Sequence, residues 1–440
     1  MALFLYNLLL PVVFLLYAPF YLVKLVRRGN FLHHFGERFG IYSSDRKAQL
    51  RALSKPVWIH AVSVGEVVAA ISFINAWSRR RPDLQFVLST TTTTGHATAR
   101  VKLPQEVSLI YCPLDFPFVV ARVLNLVRPV LLVVFEVEIW PNLIVSASRR
   151  GIPIALANGR MSDRSAHGYR RHRWFFAPIF SRFSALCVQT EADAQRIRSV
   201  SAPDAPVHVC NTMKYDQVPD RRGADTSDVL RRSFGPEDHL ILTAGSTHPG
   251  EEALIAAVYK RLKADFGSLR LVLVPRHHER TARVAQELDS QGLSYCLLCP
   301  REDLPGATPP VDVLVVNTTG ELMRFYEASD IVVVGKSLAG NSGGHNIIEP
   351  AIFGKPVLYG DHLDNFRSVS EDFRDADAGA PLADDSELEP ALRRLLESPQ
   401  ERGELGARAR KLVEQKRGAV ARTIDVLDAL LPSPRLHRDP

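Results

Sequence analysis

Short apolar runs alternate with amphipathic stretches in two separate series, and this alternation limits the chain to one broad architecture. Residues 57–59, 86–89, 130–135, 154–157 and 185–188 form the first series, and 240–244, 269–274, 313–316, 331–334 and 357–359 form the second. Runs rich in Val, Ile and Leu, without polar alternation, read as parallel strands buried on both faces. A charged, turn-rich segment at 216–235 separates the two series. The pattern predicts two Rossmann-like, doubly wound α/β lobes with a cleft between them, ligands meeting the carboxyl ends of the strands. With 440 residues the chain can build both cores, and 388–431 reads as helical.

A third part precedes the lobes. Residues 2–23 are 22 residues without a formal charge, dominated by Leu, Val, Phe and Tyr, which is long enough to cross a bilayer. Lys24, Arg27 and Arg28 follow this run instead of preceding it, which argues against a cleaved signal peptide and places the following domain in the cytoplasm. Pro11 and Pro19 would kink a spanning helix, so a helix lying in the headgroup region is the alternative. The expected partition is therefore a membrane anchor at 1–28, an N-terminal α/β domain at 29–215 and a C-terminal α/β domain with terminal helices at 216–440.

Composition excludes several classes. Hydrophobic residues at 46% and charged residues at 23% rule out wholesale disorder. The net charge of +6 suits an anionic membrane surface or a phosphorylated substrate and does not demand nucleic acid. Five scattered cysteines, Cys112, Cys187, Cys210, Cys296 and Cys299, point to a reducing compartment. The pair Cys296-x-x-Cys299 has no second pair to complete a zinc site, so no structural metal is expected. Neither G-x-G nor a P-loop occurs, which disfavours nicotinamide dehydrogenases and P-loop ATPases.

Six constellations could carry chemistry. His60-Ala-Val-Ser63-Val-Gly65-Glu66 ends a strand in a small-residue turn; its acid either favours the helix N-terminus or serves as a general base for a hydroxyl. In Glu136-Val-Glu138-Ile-Trp140-Pro-Asn142 two acids follow an apolar strand, and strand alternation would place both on one face at the strand mouth. Between Arg160 and Arg173 lie five arginines and one acid, either a solvated helix face or a contact for acceptor phosphates or headgroups. Thr243-Ala-Gly245-Ser246-Thr247-His-Pro249-Gly-Glu251-Glu252 runs from a strand into a helix start, where free N–H groups can meet an anion. Pro275-Arg276-His277 sets an arginine at a strand end. Gly343-Gly344-His345-Asn346-Ile347-Ile348-Glu349 allows close backbone approach and offers a carboxylate to ribose hydroxyls. The stretch Asp375-Ala-Asp377 mimics a metal motif but reads as a surface loop.

These motifs, with Ala157-Asn-Gly-Arg-Met-Ser162, Asn211-Thr-Met-Lys214-Tyr-Asp216 and Thr319-Gly320-Glu321-Leu322, resemble the 3-deoxy-D-manno-octulosonic acid (Kdo) transferases, membrane-bound glycosyltransferases of GT-B architecture. The resemblance implies transfer of Kdo from CMP-Kdo to a lipid A precursor, with inversion, at the cytoplasmic face of the cell inner membrane. It implies Glu66 as general base, with Glu136 and Lys214 stabilising the transition state. It also implies that Pro275, Arg276, Gly320, Glu321, Leu322, Asn346, Ile347, Ile348 and Glu349 bind CMP. A CMP sugar leaves as a phosphate monoester, so neither cofactor nor metal is expected. Asn158-Gly-Arg160 and Cys210-Asn211 depart from the family's usual residues at those places. The competing readings are another GT-B transferase using a UDP sugar on a membrane lipid, an epimerase of related fold, and a non-catalytic membrane-tethered binding protein.

Overall fold

The computed structural model describes residues 2–27, 35–218, 226–298 and 310–432, and the side chains of the first stretch are described for 2–16. Arg28 and Cys299 lie outside the described residues. The chain divides into two compact units, Met1–Gln217 with Arg417–Pro440, and Val218–Lys416.

The first unit holds a parallel sheet of seven strands: β1 Val57–Ala61, β2 Phe86–Thr90, β3 Ser108–Tyr111, β4 Leu131–Phe135, β5 Ile154–Gly159, β6 Ala185–Val188 and β7 Val207–Val209, in the order β3-β2-β1-β4-β5-β6-β7. Both faces are covered. Val57, Ile59, Leu131 and Val133 enter one apolar layer, while Trp58, Leu132 and Val134 enter the other. This is why the central strands read as continuous apolar runs. The second unit repeats the plan with β8 Leu240–Thr247, β9 Leu269–Pro275, β10 Tyr295–Leu297, β11 Val313–Val315, β12 Ile331–Val334, β13 Val357–Gly360 and β14 Ala380–Leu382, ordered β10-β11-β9-β8-β12-β13-β14. In each sheet the winding reverses beside the first strand, between β1 and β4 and between β8 and β12. Such reversal points are where doubly wound sheets bind ligands.

The C-terminal boundary differs from the expected 216–440. The last helix, Ala419–Asp428, belongs to the first unit, where Ala419, Ile424 and Leu427 share an apolar layer with β1 and β4. Its N-terminus is held by Asp216, whose carboxylate accepts from the amides of Gly418 at 2.7 Å and Val420 at 2.6 Å. Its far end is held by Asp428, which accepts from the Trp77 indole at 2.8 Å. Burial of one amphipathic face therefore overrides sequence order.

The N-terminal helix runs Ala2–Arg27, through both prolines. It is not detached from the unit. Tyr6 meets Phe175 with ring centroids 5.9 Å apart, and Phe14 meets Phe39 and Phe116 at 6.4 and 5.4 Å. Its other face leaves Phe4, Leu8, Leu9, Leu15 and Leu16 exposed. Among the described residues no helix is long and apolar enough to cross a membrane.

Candidate active site

In the first unit the acids gather at the reversal point. The turn after β1 leads into the helix Val64–Arg80, opened by a capping box in which the Ser63 hydroxyl accepts from the Glu66 amide. Glu66 completes the box, accepting from the amides of Val62 at 2.9 Å and Ser63 at 3.1 Å, and is 8% exposed. The helix-start role and the site position therefore coincide. Beside it β4 ends at Phe135, and Glu136 adopts a left-handed backbone with φ of 54°. The strand alternation expected for Glu136 and Glu138 thus fails, because the chain leaves the sheet before either acid. Both still face the same surroundings. Burial, then the charge of Glu66, raises the Glu136 carboxyl, while Lys214 and Arg160 pull it back. Glu138 is pushed up to about 7 by burial and by the charges of Glu66 and Glu136.

The cations arrive from two further strand ends. Lys214 lies in the short helix Met213–Asp216, and burial lowers its ammonium against the opposing pull of Glu136. Asn158, in β5 with φ of 53°, fixes that helix by accepting from the Met213 amide at 3.1 Å. Non-glycine residues in left-handed geometry at adjoining strand ends are a mark of sites whose surroundings hold them under strain. The arginine run from Arg160 to Arg173 does not form one patch. Arg160 faces Glu136 and Lys214, and Arg173 donates to the carbonyls of Val200 and Ser201, leaving Arg164, Arg170 and Arg171 exposed.

The second unit places a different set at its reversal point. Glu251 opens the helix Glu251–Asp265 and is fully buried. One oxygen accepts from the amides of His248 and Lys336 at 2.8 Å each, the other from Ser337 and Leu338 at 3.0 Å each. It thereby joins the loops after β8 and β12. The helix start expected to face an anion is in part spent on this internal carboxylate. Gly335 is required there, since a Cβ would lie 2.6 Å from the Ser246 carbonyl oxygen. Glu252 is likewise internal, held by Thr247 at 2.8 Å and by Arg280 at 2.8 and 3.1 Å.

Around this frame lie polar groups turned to one another. His248 and His345 approach Nε2 to Nε2 at 3.0 Å with stacked rings. Burial first, then Arg276, His248, Lys336 and His277, lowers the His345 imidazole to about 3. Glu349 is raised by burial and lowered by Asn346, which donates to it at 3.3 Å, and by Arg276. Arg276, Asn346 and Glu349 are thus brought together with His345. Pro275 ends β9, and Gly320 takes φ of 89° in the turn after β11. Glu321 pairs with Arg324 three residues on. Asn317 Oδ1 and Thr318 Oγ1 in the same turn are buried and have no hydrogen-bond partner among the described residues. Leu322 packs against an apolar layer, and Ile347 and Ile348 are fully buried, so the two isoleucines can offer a ligand only backbone. Glu138, His248 and Glu251 stood within motifs legible in the sequence but had no individual role assigned there, and Lys336 carried no sequence signal.

Two doubly wound units with polar clusters at both reversal points define the two-lobe α/β class of glycosyltransferases and their structural relatives. Acinetobacter baumannii MurG superposes with a TM-score of 0.53 at 13% identity, covering 86% of this chain and all of that one. A UDP-GlcNAc 2-epimerase from Neisseria meningitidis gives 0.53 at 13% identity over 85% of this chain and all of that one. A family profile described as 3-deoxy-D-manno-octulosonic-acid transferase matches residues 33–217. The Haemophilus influenzae 3-deoxy-D-manno-octulosonic acid transferase is 32% identical over 407 residues, 92% of this chain and 93% of that protein. Its Bordetella pertussis counterpart is 31% identical over 89% of this chain and 90% of that protein. The chain belongs to the Kdo transferase family and is a glycosyltransferase that transfers Kdo.

Proposed function

We propose that this enzyme transfers Kdo from CMP-Kdo to a lipid A precursor, with inversion at the anomeric carbon, in lipopolysaccharide biosynthesis. The observation that carries this reading is the grouping of Glu66, Glu136 and Glu138 with Lys214 and Arg160 at one reversal point. Two backbone amides orient Glu66 and leave about two of its four acceptor positions for an incoming hydroxyl. As that hydroxyl attacks the anomeric carbon, its proton passes to Glu66, and the bond from that carbon to the CMP phosphate breaks. The bonding electrons leave with the phosphate as a monoester, so the proposed chemistry calls for no metal. Glu136 stabilises positive charge developing on the sugar, and Lys214 offsets the carboxylates and favours the departing phosphate. In the second unit Arg276 is suited to a nucleotide phosphate, and Glu349 with Asn346 to ribose hydroxyls. Incubation with CMP-Kdo and a tetra-acylated lipid A precursor should yield lipid heavier by whole Kdo residues, with one CMP per residue by mass spectrometry. Failure to form that product would overturn the assignment.

The same reading places the enzyme at the cytoplasmic face of the inner membrane, held there by the outer face of its N-terminal helix. Phe4, Leu8, Leu15 and Leu16 are exposed there, and on the neighbouring helix Arg173–Phe180, Trp174 is 57% exposed, close to exposed Arg170 and Arg171. An apolar face with Trp and Arg beside it suits a helix lying in an anionic interface. Leu8→Asp with Leu16→Asp should abolish co-sedimentation with anionic vesicles; retained binding would refute this placement.

A further inference from the structure

The N-terminal helix carries two polar residues on the side that faces the protein, and both reach toward the catalytic segment. The Tyr6 hydroxyl donates to Asp115 Oδ2 at 2.9 Å. Asn7 Oδ1 accepts from the Asn142 side-chain amide at 2.6 Å. Asp115 is buried in the loop between β3 and the helix Pro117–Val127. Its carboxylate also accepts from the backbone amides of Asn142 and Leu143, each at 2.9 Å, and its carbonyl accepts from the Asn142 side chain.

Those two amides belong to the first turn of the helix Pro141–Arg149, where they have no partner within the helix. That helix lacks a capping side chain of its own, because Trp140 stands at its N-cap. Asp115 is the cap supplied from elsewhere, and its negative charge also suits the helix dipole. The capped turn directly follows Glu136, Glu138 and Trp140. Residues 136–140 are therefore pinned at one end by β4 and at the other by Asp115. Cys112, whose thiol is raised by burial, Asp115 and Glu138, marks how near the cap lies to the acids.

We infer that Tyr6 and Asn7 make the N-terminal helix a positioning element of the catalytic segment, acting through Asp115 and Asn142 on the loop that carries Glu136 and Glu138. This inference rests on the assignment of those acids to the transfer site. It gives the helix a role beyond membrane attachment. Without Tyr6 the buried carboxylate that caps the first turn of Pro141–Arg149 loses its only side-chain donor among the described residues and is held less firmly in place. A small displacement of a catalytic group is enough to slow transfer by an order of magnitude or more.

The groups facing Asp115 are the Tyr6 phenol from the N-terminal helix, the Asn142 and Leu143 amides, and the Cys112 thiol from its own loop; Arg38 and Glu138 face that thiol. Burial pushes the Asp115 carboxyl up to about 6, and its three donors pull it down. Removing the Tyr6 donor therefore moves this titration to higher pH.

The test uses the full chain with CMP-Kdo and a tetra-acylated lipid A precursor dispersed in detergent, where vesicle encounter is not needed. Tyr6→Phe keeps the ring contact with Phe175 and removes only the hydroxyl. It should lower kcat at least fivefold per CMP-binding site, leave KM for CMP-Kdo unchanged, and shift the acid limb of kcat upward in pH. Asp115→Asn should lower kcat further and remove that contribution to the acid limb. Glu136→Gln is measured alongside. If Glu136→Gln is inactive while Tyr6→Phe keeps the wild-type kcat and pH profile, the positioning role is wrong. If Glu136→Gln keeps wild-type transfer, the catalytic reading of the segment fails instead.

Discussion

Glu66 and Glu251 occupy matching places in the two units, each in the first turn of the helix that follows the first strand beside the reversal point. A carboxylate offers about four acceptor positions. Glu251 uses four on backbone amides and is fully buried. Glu66 uses two and is 8% exposed. The neighbours differ in the same sense: Glu66 influences Glu136 and Glu138, while Glu251 is surrounded by donors. An acid with every lone pair engaged is a structural tie, and one left half-engaged beside other acids can take a proton. Position in the fold does not decide between these roles; the tally of donors does.

The strongest way to break the comparison is Glu66→Gln. Loss of a general base lowers turnover by about 10²- to 10⁴-fold. CMP affinity, which the proposed function assigns to the other unit, should stay within twofold by calorimetry. Wild-type turnover in this variant would make Glu66 a cap and nothing more.

Glu251→Gln should behave in the opposite way. The new NH₂ group faces two backbone amides that it cannot satisfy, and each unsatisfied buried donor costs about 1 to 3 kcal/mol. Urea unfolding should therefore show a less stable second unit, with weaker CMP binding as a consequence of disordered loops after β8 and β12. A Glu251→Gln protein as stable as wild type would remove the distinction drawn here.

Arg276→Ala and Glu349→Ala sharpen the comparison from the ligand side. Each removes a charge-assisted contact worth about 1.5 to 3 kcal/mol, roughly 10- to 150-fold in CMP affinity. Unfolding midpoints should change little for Arg276→Ala, whose side chain is exposed. If CMP binds both variants as it binds wild type, the nucleotide lies elsewhere.

The sequence was legible where burial is complete on both sides and obscure where it is not. All ten predicted runs overlap strands, and the strands outside those runs are the four sheet edges, β3, β7, β14 and β10, the last falling in the apolar stretch 293–300 that also reads as strand. Edge strands are half solvated, so β7, Val-His-Val, has no continuous apolar run to show. The acids at 136 and 138 were visible as charges after a strand, but their disposition was not, since a left-handed residue at Glu136 cancels strand alternation. The arginine run looked like one cluster because spacing in sequence says nothing of the carbonyls at Val200 and Ser201 that claim Arg173. The internal role of Glu251, itself visible in the motif after β8, was hidden for a similar reason. Three of its four donors come from residues 336–338, some 85 positions away.

The smallest expected effect concerns pH and stability, and it follows from the crowding of acids in the first unit. Glu138 has its carboxyl raised to about 7, first by burial and then by Glu66 and Glu136, against an ordinary value near 4.5. Between these two values the folded chain binds more protons at this position than the unfolded chain does. Stability then falls as pH rises through that window, because folding favours the protonated acid. The sign is opposite to that of a carboxylate held low by a cation. Wild-type protein should accordingly show its unfolding midpoint decline from pH 5 to pH 7 more steeply than Glu138→Gln, which has no proton to lose there. Partial exposure of Glu138 screens the interaction and keeps the difference to a few degrees at most. Parallel profiles for the two proteins across that range would mean that Glu138 is solvated and that the three acids do not act as a group.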